Sequence, residues 1–288
     1  MLPIFARALA QYRWQVVGWG GILFLNGLIT IPAYDVVKQN PESIRKLVEQ
    51  SPPELLALFS RRDQLPDLKK WDPSDPAVFL DMNYFAFMPL ILGVFGVLGG
   101  SGLLVSDEEK GTLDLVLAHP VRRSSVLVGR LAAFVVATVG VLALAWLGLV
   151  VPMMRSSLPV GWDASLLPFV SLLGVLLFYG TLALLLSMLL PARRLAAMAV
   201  GMLLVAGYFL TALAQINSGL KPFARFSPLE YYQSGYAIQG LKLTWLGGLL
   251  AASALFTVLA GWHFERRDIR VGGEGNWRWP WQTRKPRA

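Results

Sequence analysis

Six apolar runs decide what this chain can fold into. They cover residues 16–31, 84–105, 126–151, 166–190, 195–214 and 243–262, nearly half of the 288 residues. An α-helix rises about 1.5 Å per residue, so about 20 apolar residues span the roughly 30 Å hydrocarbon core of a bilayer. The first run is short by that measure, and Trp14 belongs with it. Inside lipid, backbone N–H and C=O groups must be satisfied within the protein, which favours helices for runs of this length. The expected fold is an all-α polytopic membrane protein with six transmembrane helices, one transmembrane domain over residues 1–288. A hydrophobic share of 55% excludes an ordinary soluble domain. Residues 29–34, Ile-Thr-Ile-Pro-Ala-Tyr, offer no small-x-small cleavage site, so the first run is read as a span and not as a signal peptide.

The net charge of +8 does not point to nucleic acid, because the bases sit between spans instead of clustering on an aqueous domain. Their distribution encodes topology. With the N-terminus inside, cytosolic segments carry fifteen bases and the short external loops four, Arg155, Lys221, Arg225 and Lys242. Both termini are therefore expected in the cytosol. There is no cysteine, so no disulfide staples an external loop and no thiolate metal site exists.

Read in order, residues 1–15 carry Ile4, Phe5, Leu9 and Tyr12 beside Arg7 and Arg13, the pattern of an interfacial helix or of the cytosolic end of span one, which stops at Pro32. Residues 34–83 form an external helical loop holding nine acids and seven bases. Two proline-started amphipathic helices, 41–49 and 53–59, fall within it and suit a lid. The glycines at 93, 96, 99, 100 and 102 mimic a phosphate loop only superficially; small residues for close helix packing account for them better. Residues 215–242 are external, and 226–238 are aromatic enough to dip into the bilayer as a re-entrant segment, with a surface loop as the alternative. Residues 263–288 form a basic cytosolic tail whose tryptophans suit headgroup anchoring.

Between spans two and three lies a short charged segment, residues 106–123. Ser106 and Glu109 have capping-box spacing. Gly111 is a natural bend, Thr112 can cap a second turn, and Leu113, Val116 and Leu117 share one helical face before Pro120. The residues alone fit a short crosswise helix or an ordinary polar loop. Glu108, Glu109, Gly111, Thr112, Leu113, Leu115, Leu117, Pro120, Arg122 and Arg123 resemble the coupling loop of ABC transporter type-2 permeases. Phe264, Arg267, Asp268 and Ile269 resemble the exit of that family's last span.

The resemblance implies a type-2 exporter permease that docks on a separate ABC ATPase through Glu108, Glu109, Gly111, Thr112, Leu113, Val116, Leu117, Pro120 and Arg122. It implies a dimer with a second permease copy or a paralogue, in the inner membrane of a prokaryote, with room for an extracytoplasmic accessory protein. ATP and Mg would sit on the partner subunit, and no cofactor or metal on this chain. Substrates of such exporters are drugs, lipids, peptides or glycan-linked lipids. A path along the dimer interface would be lined by Phe87, Phe95, Tyr208, Phe209 and Gln215. Two other classes are weighed against it. An ion-coupled secondary transporter normally places acids or histidines within its spans, and none falls inside the six runs. A membrane-embedded lipid-modifying enzyme would need metal-ligand or acid–base spacing that the external acids lack. The chain also has no G-x-x-x-x-G-K-[ST] sequence, so it is not expected to be an ATPase itself.

Overall fold

A computed structural model describes residues 2–50, 72, 74–109 and 123–266, and these are helical throughout, with no strand among them. Five helices are long and apolar enough to cross a membrane. A bent pair, Pro76–Phe85 with Met88–Gly102, makes a sixth crossing if taken as one broken span.

Helix α1 runs unbroken from Leu2 to Gln39 with Pro32 inside it. One expectation is corrected here, since the helix does not stop at Pro32; of the two readings of residues 1–15, the structure has them continuous with span one. A proline interior to a helix loses one hydrogen bond. The packed face continues across that loss: Leu23, Ile31 and Tyr34 are buried along one side of α1, and Tyr34 donates to the Ser74 carbonyl at 2.7 Å. At about 1.5 Å per residue α1 is some 55 Å long, well beyond the bilayer core. Helix α2, Pro41–Glu49, follows directly. The second expected helix of that region, at 53–59, lies outside the described residues.

Span two is broken for chemical reasons. Asp75 caps helix α3, Pro76–Leu80, by accepting from the Ala77 N–H at 2.8 Å, with Pro76 in the first turn. A π-helical turn, Asp81–Phe85, follows and closes through Ala86 N–H to the Asp81 carbonyl at 2.8 Å. Pro89, in the first turn of α4 (Met88–Gly102), has no N–H to give the carbonyl four residues back, that of Phe85. The Tyr232 hydroxyl donates to that carbonyl instead, at 3.1 Å. The two limbs meet at 43°. Taken as one broken span, the pair has residues 76–85 as its first limb, with Ala77, Val78, Phe79, Leu80, Tyr84 and Phe85 buried. Asp81, counted from the sequence as an external acid, is 0% exposed.

Helix α5, Val105–Glu109, continues from α4 after a short turn. Helices α6 (Arg123–Met153), α7 (Leu167–Leu189), α8 (Arg193–Ala214) and α10 (Leu243–Arg266) complete the bundle. Glycine sets the closest crossings. A Cβ on Gly27 would stand 2.6 Å from the Gly148 carbonyl carbon, which fixes α1 against α6. A Cβ on Gly100 would overlap the Gly180 carbonyl, and one on Gly96 would reach 3.2 Å from the Leu176 oxygen. The glycines of span two therefore serve close packing, as the sequence suggested: Gly96 and Gly100 against α7, Gly93 against Leu204 of α8 and Gly99 against Phe134 of α6. Phe95 and Phe134 stack at 6.1 Å beneath this crossing, with Tyr12 against both.

The span hydroxyls stay within their own helices: Thr138, Thr181, Thr211, Ser253 and Thr257 each donate to the carbonyl four residues back. The tyrosine Tyr84 does bridge elements, its hydroxyl lying 3.2 Å from the Leu23 carbonyl and 3.0 Å from that of Ala145. Residues 215–242 fold as short turns: Ser218–Leu220, helix α9 (Lys221–Ala224), Pro228–Tyr231 and Ser234–Gln239. The last two are packed into the bundle. The Gln233 amide ties them to the start of α10, giving a hydrogen bond to the Lys242 carbonyl at 3.1 Å and taking one from its N–H at 2.6 Å.

Candidate functional site

At the basic end of the bundle, α4 passes into α5 through Leu103 and Leu104, both buried. The turn is gripped by charges from other helices. Arg130 of α6 donates from Nη1 to the Leu103 carbonyl at 2.8 Å. The Arg193 guanidinium of α8 lies over Gly102, 3.4 Å from where a Cβ would stand. Ala8, Gln11, Tyr12, Gly102, Leu103, Ser106 and Arg130 line a small cleft of about 60 Å³ beside it. Arg123, where the described chain resumes, donates to the Phe264 carbonyl of α10 at 3.3 Å. Both ends of the 106–123 segment are thus fastened to the bundle by arginine donating to main-chain oxygen.

Arg130, a lone cation about one turn into the third apolar run, is turned onto the end of α4. Helix α5 begins at Val105, so Ser106 lies within the helix and not ahead of it. Glu108 is only 8% exposed. Glu109 belongs to the same helix. Gly111, Thr112, Leu113, Leu115, Val116, Leu117, Pro120 and Arg122 lie outside the described residues, as do Arg267, Asp268, Ile269 and the tail that follows.

The expected substrate residues divide into two groups. Phe87 stacks on Tyr208 at 6.3 Å and 30°, and Phe209 meets Tyr208 edge-on at 5.9 Å. These three form one aromatic step where span two bends against α8. Gln215 closes α8, half-buried. Phe95 does not join them: at 2% exposure it is enclosed by Tyr12 and Phe134 in the core, because its helix position faces α6. The outward face of α8 carries Leu195, Met198, Met202, Val205, Phe209 and Leu213, all exposed. Their spacing is a continuous helical stripe. Among the described residues no group of three or more histidines or acids is placed to hold a metal ion.

Compared with known protein families, residues 33–269 match the family model described as ABC-2 family transporter protein. No curated protein matches the chain.

Proposed function

The chain belongs to the ABC-2 family of transporter proteins, which makes it a multi-pass membrane permease working with an ABC ATPase subunit, and we propose that it is the transmembrane half of an ATP-driven exporter coupled through residues 106–123. The observation that carries this reading is the fastening of that segment. Its start follows α4 after a short turn clasped by Arg130, and its far end runs into α6, where Arg123 is bonded to α10. Both spans flanking the segment would move with it. Gly111, Thr112, Leu113, Val116, Leu117, Pro120 and Arg122 would form the docking helix, with Glu109 meeting a basic group on the ATPase. Glu108, being buried, would hold the helix to its own permease. ATP and Mg would stay on the partner.

In this reading the basic end is cytosolic, as the charge bias requires, and the membrane is the inner membrane of a prokaryote. Two copies would meet through the outward stripe of α8, with Phe87, Tyr208, Phe209 and Gln215 at the edge of the path between them. An aromatic step with few polar groups suits an amphiphilic or apolar cargo. Helix α2 and the residues after it, up to 75, would cap the exit or receive an accessory protein. An ion-coupled carrier would want a membrane carboxylate, and Asp81 is one, but its Oδ1 is engaged by the main-chain N–H of Gly235 at 3.4 Å.

The test is co-expression with an ABC ATPase from the same genome, purification in nanodiscs and an ATP hydrolysis assay. Capture of the ATPase by the intact chain, and its loss when residues 111–117 are replaced by a Gly-Ser linker, is the expected result. Capture that survives the replacement would move the docking site elsewhere.

A further inference from the structure

Beside the Tyr84 bonds to Leu23 and Ala145, the bend of span two is held by the packed segment Pro228–Gln239. Pro89 cannot supply a donor to the Phe85 carbonyl, and the hydroxyl of buried Tyr232 fills that position at 3.1 Å. One π-turn earlier, the buried carboxylate of Asp81 accepts from the Gly235 N–H at 3.4 Å. The approach there is close enough to demand glycine. A Cβ on Gly235 would stand 2.7 Å from the Asp81 Cα and 2.9 Å from the Ala77 oxygen.

The segment carries a local cost at the same point. Ser234 sits at φ 48°, in the left-handed region that non-glycine residues avoid. Its hydroxyl is buried with no hydrogen-bond partner. A strained residue with an unsatisfied hydroxyl persists only while neighbouring contacts hold it. Asp81 and Tyr232 supply such contacts, and both depend on the angle of span two. Straightening the helix at Ala86–Phe87 would move the Phe85 carbonyl and the Asp81 carboxylate together.

We propose that residues 228–239 are a strap that follows the bend of span two, and that Asp81 is the positioning residue that ties the strap to it. The strap closes the end of the bundle opposite the 106–123 segment. Helix α4 is the link between the two, with Gly96 and Gly100 set close against the α7 backbone. The proposal rests on the transporter reading for the source of the motion: an ATPase working at one end of α4 changes the bend at the other, and the strap loosens over the exit. Asp81 touches no substrate in this scheme.

The chain has no cysteine, so one introduced thiol reports the strap cleanly. Ala237→Cys places it at a buried position within the strap, and Phe226→Cys, at a fully accessible one beside it, serves as the control for folding. Labelling by a membrane-impermeant maleimide is followed in nanodiscs. Asp81→Ala should speed labelling at 237 about tenfold or more, the scale of a lost hydrogen bond to a charged group, while Asp81→Asn, which keeps an acceptor, stays within about threefold of the parent. Tyr232→Phe should also speed labelling, and Pro89→Ala should abolish that effect, because an alanine N–H replaces the tyrosine as donor to Phe85. In the complex with its ATPase, ATP plus vanadate should change labelling at 237 in the parent and leave Asp81→Ala fast in every nucleotide state.

Unchanged labelling in Asp81→Ala, with the control at 226 normal, overturns the strap. Equal acceleration by Asp81→Ala and Asp81→Asn overturns the role given to the acceptor oxygen. An ATPase that binds and hydrolyses ATP without altering labelling at 237 leaves the transporter reading standing and overturns the coupling to span two. Failure of any ATPase to bind overturns the transporter reading, while the Asp81, Tyr232 and Pro89 results on the chain alone still decide the strap.

Discussion

The Arg130 guanidinium of α6 donates to the carbonyl of Leu103, the C-cap of α4, 2.8 Å away, at the point where span two gives way to the 106–123 segment. The carbonyls at a helix C-terminus have no partner within the helix. A cation there both satisfies one and meets the negative end of the helix dipole.

Replacing Arg130 by alanine removes the charge and the bond together. Hydrogen bonds to charged groups contribute about 1.5–3 kcal/mol, and the half-buried setting of Arg130 argues for the lower part of that range. The expected result is a permease that inserts and captures its ATPase but melts a few degrees lower and stimulates ATP hydrolysis less. Lysine should recover part of the loss, since it keeps the charge without the planar fork. Wild-type stimulation by Arg130→Ala would show that the turn needs no clasp.

The crossing of α4 on α7 gives a second prediction, one of stability. Gly100 lies against the Gly180 backbone, whereas nothing lies within 4 Å of a Cβ built on Gly247. Gly100→Ala should destabilise by about 1–3 kcal/mol or more, the range for overpacking a filled interior. Gly247→Ala should be neutral or slightly stabilising, through its better helix propensity. Thermal unfolding in one detergent compares the two directly, and equal melting temperatures would contradict the packing described.

Much of this architecture was legible in advance, and the failures have physical causes. The runs that became α6, α7, α8 and α10 were found nearly to the residue, because length and apolarity dominate there. Pro32 was read as a stop, since propensity says so; the buried line through Leu23, Ile31 and Tyr34 overrode it. The π-turn at Asp81–Phe85 has no periodicity of its own. Asp81 was therefore placed in water by its charge, although Pro76, Ala77, Val78, Phe79 and Leu80 before it already form an apolar limb. Phe95 was grouped with Phe87 through the family resemblance, which places spans two and five beside the path. Eight residues apart on one span, they face different neighbours, and only the packing of α6 against α4 shows which is enclosed.

Glu108 and Gly111 should separate by phenotype. Glu108 is buried on α5, so Glu108→Ala should lower the melting temperature of the permease by itself, with no ATPase present. Gly111→Val should leave that temperature unchanged and abolish coupled ATP hydrolysis in the complex, because a β-branched residue resists the bend proposed there. The measurement is melting of the lone permease beside hydrolysis by the assembled complex. Loss of coupling in Glu108→Ala at unchanged permease stability would return Glu108 to the docking surface.

The outward stripe of α8 should mark where two permeases meet. Met198, Met202, Phe209 and Leu213 project from one face, and Met202 is 66% exposed. Gly201, beside it, has nothing within 4 Å of a built Cβ and would let a second helix approach closely. Lipid alone could cover such a face, so the prediction needs a contact that lipid cannot make. Met202→Cys in this cysteine-free chain should form a disulfide-linked dimer on mild oxidation in native membranes. Phe95→Cys, enclosed in the core, should not. Met198→Cys and Phe209→Cys should cross-link less than Met202→Cys in one nucleotide state and approach it in another if the path between protomers opens. Dimers from Phe95→Cys with none from the α8 positions would put the interface elsewhere and take Phe87, Tyr208 and Phe209 off the substrate path.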